Sequence, residues 1–224
     1  MNRALRTLLT GCGLLAATTL GGCVTNTVQE VREASTGMTA NDSVVVLGRR
    51  TRPSNAETEL DFVSCVGKNV SGGGDKLKVI PEQDFLDAMF PWFEPRTAPV
   101  NTSDLPELIN QPALAARLGE IGLRYLVWID GTTKRTDQSG SLTCSVSAAG
   151  AGCFGFLTWE NDSSYEATIW DVRNGKTVGK ISSDAVGTSY MPAVILPLPI
   201  IAPVRSSACS TMGDQLKAFL MNES

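Results

Sequence analysis

The first half of the chain alternates short apolar runs with segments whose apolar residues recur every three or four positions. The run Ser43–Gly48, "SVVVLG", predicts a buried strand, and "KLKVI" predicts a second one. Between them, residues 53–70 predict a helix, with Ser54 and Glu57 at the spacing of a capping box. A second helix is predicted to open at Pro81, because proline fits the first helical turn. The order β-α-β-α is typical of a parallel sheet.

The second half of the chain changes to strands. A helix is predicted from Pro112, and it leads into the strand "RYLVWID". Alternating segments on both sides of Asn174-Gly175 predict a hairpin with a tight primed turn, and the segment Ser141–Glu160 is expected to add strands. The chain closes with a predicted amphipathic helix. The apolar positions of that helix are Met212, Leu216 and Leu220.

These elements predict an α/β fold with α+β character in its second half. We expect a single domain over residues 43–224, with one mixed sheet. Its first half is expected to be a parallel β-α-β-α arrangement. Its second half is expected to be an antiparallel meander followed by the closing helix.

The amino terminus has the pattern of a secretory signal. Arg3 and Arg6 precede an uncharged, mostly apolar segment that is too short and too rich in glycine and threonine for a spanning helix. The segment ends in Leu20-Gly21-Gly22-Cys23, which resembles the bacterial lipobox. The resemblance implies cleavage between Gly22 and Cys23 and a diacylglyceryl group on the Cys23 thiol. We therefore expect residues 1–22 to be a lipoprotein signal peptide.

The lipid predicts where the protein resides. Two or more acyl chains, such as palmitate, anchor a protein stably. Val24 follows Cys23, where resembling lipoproteins of the inner membrane of Gram-negative bacteria commonly carry aspartate. We therefore expect a lipid-anchored protein on the periplasmic face of the outer membrane. The polar residues 23–42 are predicted to form a flexible tether.

Composition excludes several classes of function. Without residues 1–22 the chain keeps 17 basic and 23 acidic residues, so it lacks the basic excess that nucleic-acid binding needs. It has no histidine, which removes the commonest general base and the commonest zinc ligand. No C-x-x-C pair or catalytic motif is present. We expect no catalytic residue, no metal and no cofactor, and an envelope enzyme ranks last among the functions considered.

Four cysteines remain after the signal and Cys23 are set aside. In an oxidising compartment they predict two disulfides, for which three connectivities exist. Cys144 and Cys153 flank a short flexible stretch and are predicted to pair. Cys65 and Cys209 then pair by elimination.

Two apolar stretches are candidate partner surfaces. Trp92 and Phe93 lie in a proline-rich loop, where they either contact a partner or close the edge of the core. The run Met191–Val204, "MPAVILPLPIIAPV", contains four prolines that forbid a continuous helix. Three interpretations remain open for this run: it covers its own domain, binds a partner or second copy, or touches the membrane. The candidate contact residues in the run are Ile195, Leu196, Leu198, Ile200 and Ile201.

The order of elements over residues 43–221 resembles a known superfamily. The stretch "LGEIGLRYLVWIDGTT" is followed by "YEATIWDVRNGKTVGKIS", with an Asp-x-x-x-Gly turn from Asp171 to Gly175, and by a final amphipathic helix. This is similar to the TolB amino-terminal domain and the curli-secretion-channel lipoprotein. The resemblance implies a periplasmic α/β domain that works by contacting proteins, with no chemistry of its own.

Two functions follow as expectations. The first is protein binding in envelope assembly, maintenance or export, with envelope proteins as partners. The second is a subunit of an oligomeric outer-membrane pore or secretion channel, in which Ser141–Glu160 forms an inserted hairpin. A homo-oligomer is compatible with both functions.

Overall fold

The computed structural model describes residues 23–39, 41–50, 57–73, 77–94, 96–99, 102–148 and 150–222. The predicted signal peptide and Ser54 lie outside these ranges. The strands are β1 (Val24–Arg32), β2 (Ser43–Gly48), β3 (Val79–Ile80), β4 (Leu123–Ser147), β5 (Gly150–Asp171) and β6 (Lys176–Pro197). The helices are α1 (Leu60–Ser71), α2 (Glu82–Ala88), α3 (Leu105–Ile109), α4 (Pro112–Glu120) and α5 (Val204–Met221), with a 3-10 turn at Thr102–Asp104.

The six strands form one mixed sheet in the order β1-β6-β5-β4-β2-β3. Strand β2 runs parallel to β3 and to β4, as the β-α-β pattern predicts. All six residues of β2 are buried, because helices and neighbouring strands leave it no solvent face. Strands β4, β5 and β6 follow one another through short turns and make up the second half of the sheet. The predicted α/β fold with α+β character is confirmed.

The chain divides into two compact units that share the long strands. The hairpin unit contains residues 135–161 and 187–203 together with Cys23 and Val24. The helix unit contains Thr25–Lys134, Asp162–Val186 and Val204–Ser224. Among the described residues, no helix combines the length and the apolar character needed to cross a membrane.

The helix unit holds the hydrophobic core. One face of its sheet packs against α2, α3 and α4 through Leu47, Phe85, Leu118 and Trp128, all of which are buried. Helices α1 and α5 pack against each other, and the Cys65–Cys209 disulfide joins them. The positions predicted for the apolar face of the closing helix are fully buried. These positions are Met212, Leu216 and Leu220.

Strand β1 corrects the prediction of a tether over residues 23–42. The segment Val24–Arg32 is an edge strand of the sheet. Its side chains bind α5, since Asn26 Nδ2 donates to Ser207 Oγ at 2.6 Å and Arg32 lies 4.0 Å from the ring centroid of Phe219. These contacts fix this segment to the domain. A flexible linker would make none of them.

Two further local predictions were wrong in detail. The predicted strand "KLKVI" is reduced to the two residues of β3. The turn between β5 and β6 spans four residues, and of these only Gly175 has a positive φ, of 61°. A primed type I turn needs positive φ at both central residues, so this hairpin uses a different turn.

Candidate functional site

The hairpin unit exposes an unusual amount of apolar side chain. Val146 is 86% exposed and Val194 is 76% exposed, and Phe154 and Phe156 are at least half exposed. Exposed single apolar residues are normal, but a set of them within one small unit indicates a contact surface. The apolar residues of the surface are Val146, Phe154, Phe156, Val194, Ile195, Leu196, Leu198 and Ile201. We call this set the apolar surface.

The strands that carry the apolar surface have no core of their own. In the hairpin unit, Trp159 and two alanines, Ala193 and Ala202, are the buried hydrophobic residues among those described. Three strands need a buried apolar face or a packed partner to be stable in water. Among the described residues of this unit, exposed large apolar side chains therefore outnumber the buried ones.

The apolar surface also lacks charge. Residues 138–159 and 185–204 contain no Asp, Glu, Lys or Arg, although 19% of the whole chain is charged. Solvated surfaces of soluble proteins are normally rich in charged side chains. The absence of charge over these segments is therefore unusual for a surface that faces water. Among the described residues of the hairpin unit, the charges lie at the start of its part of β4 and the end of its part of β5. These residues are Arg135, Asp137 and Glu160.

Aromatic side chains lie at the end of the uncharged segments that is next to the charged residues. The guanidinium carbon of Arg135 lies 5.3 Å from the ring centroid of Trp159. The rings of Phe156 and Tyr190 are 6.1 Å apart. Amphipathic aromatic residues are enriched where a protein surface passes from water to lipid. Along β5, the order from Glu160 is therefore charge, then the aromatic residues Trp159 and Phe156, then uncharged residues.

The chain doubles back after β6. Tyr190 and Ile200 exchange two backbone hydrogen bonds, of 2.9 and 2.7 Å, and Ser189 Oγ accepts a hydrogen bond from Ala202 N. Ile195 has a φ of 98°, which is rare for a β-branched residue and stores strain of the kind found at functional sites. In the returning segment, the side chains of Leu198 and Ile201 are 66% and 61% exposed.

The predicted partner residues divide into two groups. Ile195, Leu196, Leu198 and Ile201 belong to the apolar surface, whereas Ile200 is half-buried by its pairing with Tyr190. In the proline-rich loop, Phe93 is 4% exposed and belongs to the core, and Trp92 packs partly against that core, which is the second of the two alternatives predicted for this loop. Val146, Phe154, Phe156 and Val194 were missed as contact residues, although the first three lie in the predicted inserted segment Ser141–Glu160 and Val194 lies in the apolar run Met191–Val204.

The missed residues had a signal in the sequence. Phe154 and Phe156 are two residues apart and therefore point to the same side of a strand. The segment that carries them was expected to form strands, and it is free of charge from Gln138 to Trp159.

The cysteines have the pairing expected from the sequence. Cys144 and Cys153 form a disulfide in the hairpin unit, and Cys65 and Cys209 form one in the helix unit. The remaining described cysteine, Cys23, is exposed and unpaired. Within the described ranges, no three His, Cys, Asp or Glu side chains are grouped as a metal site requires.

Comparison with known proteins returned no matching family and no matching curated protein. Two solved structures show a distant likeness. One is a PelC dodecamer from Paraburkholderia phytofirmans in a leucine-to-methionine variant, with 14% identity, 88% of this chain and 99% of that chain covered, and a TM-score of 0.39. The other is a PelC dodecamer from the same organism, with 14% identity, coverage of 88% and 98%, and a TM-score of 0.37. At TM-scores below 0.5 these likenesses carry no weight for the function of this chain.

Proposed function

We propose that the protein is a lipid-anchored protein of the bacterial envelope. Cys23 holds it at the periplasmic face of the outer membrane, and its two disulfides suit an oxidising compartment. Cys23 is exposed at the start of β1, so its thiol is open to lipidation. The protein acts through contacts with other proteins in envelope assembly, maintenance or export.

The form of this function that the geometry supports best is a subunit of an oligomeric pore or secretion channel. The observation that carries it is the uncharged apolar surface on strands of suitable length. The uncharged parts of β4, β5 and β6 in the hairpin unit cover residues 138–147, 150–159 and 187–197. A strand crosses the hydrocarbon core with about 9–11 residues. Each of the three segments meets that length.

Insertion by this route requires more than one copy of the chain. Strand β2 pairs with β4 from Leu123 to Ile129, and among the described residues no strand pairs with the same edge of β4 in the hairpin unit. In a bilayer every backbone polar group needs a partner, because no water is there to replace it. A neighbouring copy supplies that partner by pairing with this edge of β4.

Vesicle flotation tests the insertion. The mature chain with Cys23→Ser, which lacks the lipid, is mixed with phospholipid vesicles, and the protein that floats with them is measured. We expect the wild-type apolar surface to bind the vesicles, so that the protein floats with them. Phe154→Lys should weaken this partition by about 2 kcal/mol, or roughly thirtyfold, because a lysine is costly in the bilayer. Val31→Lys is the matched control, since Val31 is 58% exposed on β1 in the helix unit.

Planar-bilayer conductance separates the two forms of the proposal. Stepwise conductance that Phe154→Lys abolishes supports the pore. Flotation without conductance would refute the pore and leave a membrane-docked protein-binding function. Equal flotation of Phe154→Lys and the wild type would refute the role of the apolar surface in the membrane.

A further inference from the structure

A second apolar site lies in the helix unit, between α1, the edge strand β3 and the start of α2. It is a half-open groove of about 450 Å³. Its floor is formed by Val46 and Val63, which are 3% and 2% exposed, and Leu60 forms part of its wall at 53% exposure. The groove is independent of the apolar surface, and the inference below does not rest on the proposed function.

A glycine keeps the groove open. Gly67 lies inside α1 and lines the groove, and a Cβ added to it would meet only Val79 Cγ1, at 3.9 Å. That distance is ordinary van der Waals contact, so the backbone tolerates a side chain there. A glycine inside a helix lowers its stability relative to alanine. The helix is therefore less stable than it would be with alanine at Gly67, the position where a larger side chain would fill part of the groove.

The charged side chain that can still bind a ligand in the groove is positive. Glu82 at its rim is already bound, since it pairs with Arg50 at 3.2 Å and accepts a hydrogen bond from Gly48 N at 3.5 Å. Lys68 also lines the groove, is exposed, and forms no ion pair with any described residue. A ligand that reaches Lys68 is favoured if it is an anion, because opposite charges attract.

The edge strand argues against an extended peptide as the ligand. Peptides that extend a sheet need a run of free backbone groups. Strand β3 is only two residues long, and it is followed by Pro81, which has no N–H to donate. A ligand with an apolar body and few hydrogen-bonding groups fits the groove better than a peptide.

We propose that this groove binds a single-chain anionic amphiphile, with its alkyl chain between α1 and β3 and its head group paired with Lys68. The groove face of α1 extends from Leu60 to Ser71, on the order of 16 Å at the helical rise. One alkyl chain fits along this face. A two-chain lipid held in a bilayer does not.

Photolabelling locates the ligand within the chain. The probe is dodecanoate with a diazirine in its chain, used below its micelle concentration on the full mature chain with Cys23→Ser. After irradiation, peptide mapping should find the label within residues 60–83. Lys68→Glu should reduce this labelling about tenfold, and Lys176→Glu, at another exposed lysine, should leave it unchanged.

Filling the groove gives the second arm of the experiment. Gly67→Phe should abolish labelling of residues 60–83, and Gly67→Leu provides a smaller plug if the phenylalanine variant does not fold. Gly119→Phe is the matched control, because Gly119 is also a helical glycine with no atom within 4 Å of an added Cβ. A circular-dichroism melt checks that each variant is folded.

Four outcomes would overturn the proposal. The first is equal labelling of Gly67→Leu and the wild type, and the second is label found only in the hairpin unit. The third is equally strong labelling by a dodecylammonium probe, which would remove the role of Lys68. The fourth is labelling of the groove by a diazirine phospholipid in vesicles but not by dodecanoate, which would assign the groove to bilayer lipid. Since labelling in the helix unit is scored separately from flotation and conductance, failure here and failure of the proposed function are distinguishable.

Discussion

Removing the Cys65–Cys209 disulfide tests how the helix unit is held together. The bridge joins α1 to α5 across a sequence separation of 144 residues, whereas Cys144 and Cys153 are 9 residues apart. A disulfide restricts the unfolded chain more when its loop is longer. The loop-entropy relation gives about 5 kcal/mol for the long bridge and about 3 kcal/mol for the short one. The double variant Cys65→Ala/Cys209→Ala should therefore lose more stability than Cys144→Ala/Cys153→Ala.

The helices should still pack without the bridge. Val66 and Val70 of α1 and Met212 and Leu216 of α5 are fully buried, so the native state retains its apolar contacts. The variant is then a folded protein with a smaller free energy of unfolding. It is not expected to be an unfolded chain.

Urea denaturation of both double variants, made in the chain without residues 1–22 and with Cys23→Ser, measures the two losses, because that background has no free thiol to exchange. Far-UV circular dichroism and tryptophan fluorescence follow the transition. The reduced parent protein is the control, and its stability should fall to that of a variant lacking both bridges. Equal losses for the two double variants, or a larger loss for the short bridge, would refute the reasoning from loop length.

The remaining predictions concern a glycine, a carboxylate and the anchor. Gly131→Ala should destabilise the protein by more than about 2 kcal/mol in urea denaturation, because φ is 143° there and the new Cβ would lie 2.2 Å from Ser164 O. Burial raises the pKa of Asp42, but hydrogen bonds from Thr39 and the charge of Arg173 outweigh it and hold the pKa below its usual value. This stabilisation is present above the pKa that Asp42 has in the unfolded chain and is lost as the pH falls through its lowered pKa in the folded protein, so the penalty of Asp42→Asn should shrink in acid titrations of stability. Cys23→Ser should abolish labelling with a fatty-acid analogue and leave the precursor uncleaved.

Each of these predictions has a control or a contradicting result. Gly119→Ala should be neutral or stabilising, since nothing lies within 4 Å of its added Cβ. A penalty for Asp42→Asn that stays constant from pH 7 to pH 2 would contradict its lowered pKa. Unchanged fatty-acid labelling of Cys23→Ser would contradict the proposal that Cys23 carries the lipid. Fractionation on a density gradient checks the sorting, and recovery with inner-membrane markers would exclude the outer membrane.

The periodic elements of the helix unit could be predicted because local pattern and tertiary burial agree there. The run Ser43–Gly48 is apolar throughout and is buried throughout, and α5 buries the positions that its period predicts. Strand β1 could not be predicted in the same way. Its side chains are mostly exposed or half-buried and its stability comes from contacts with α5, which no local pattern contains.

The length of β4 was hidden by its glycines. The predicted strand "RYLVWID" continues for 25 residues, through Gly131 and Gly140, which both have positive φ. Glycine usually indicates the end of a strand, but here it permits a close approach to the neighbouring strand, since a Cβ on Gly140 would lie 2.1 Å from Phe156 O. The apolar surface was found only in part, because strands were expected over Ser141–Glu160 but their glycines left the strand bounds, and with them the outward positions Val146 and Phe154, undetermined.

The start of β1 has a mechanical consequence for an anchored protein. Hydrogen bonding of the sheet begins at Val24, the residue after Cys23, so no slack chain separates an acyl group on Cys23 from the folded protein. A load on the domain would pass directly from the lipid into β1 and from there, through Asn26 and Arg32, into α5. With an acyl group on Cys23, β1 would therefore lie directly at the membrane surface, and the domain would have no linker with which to reach distant partners.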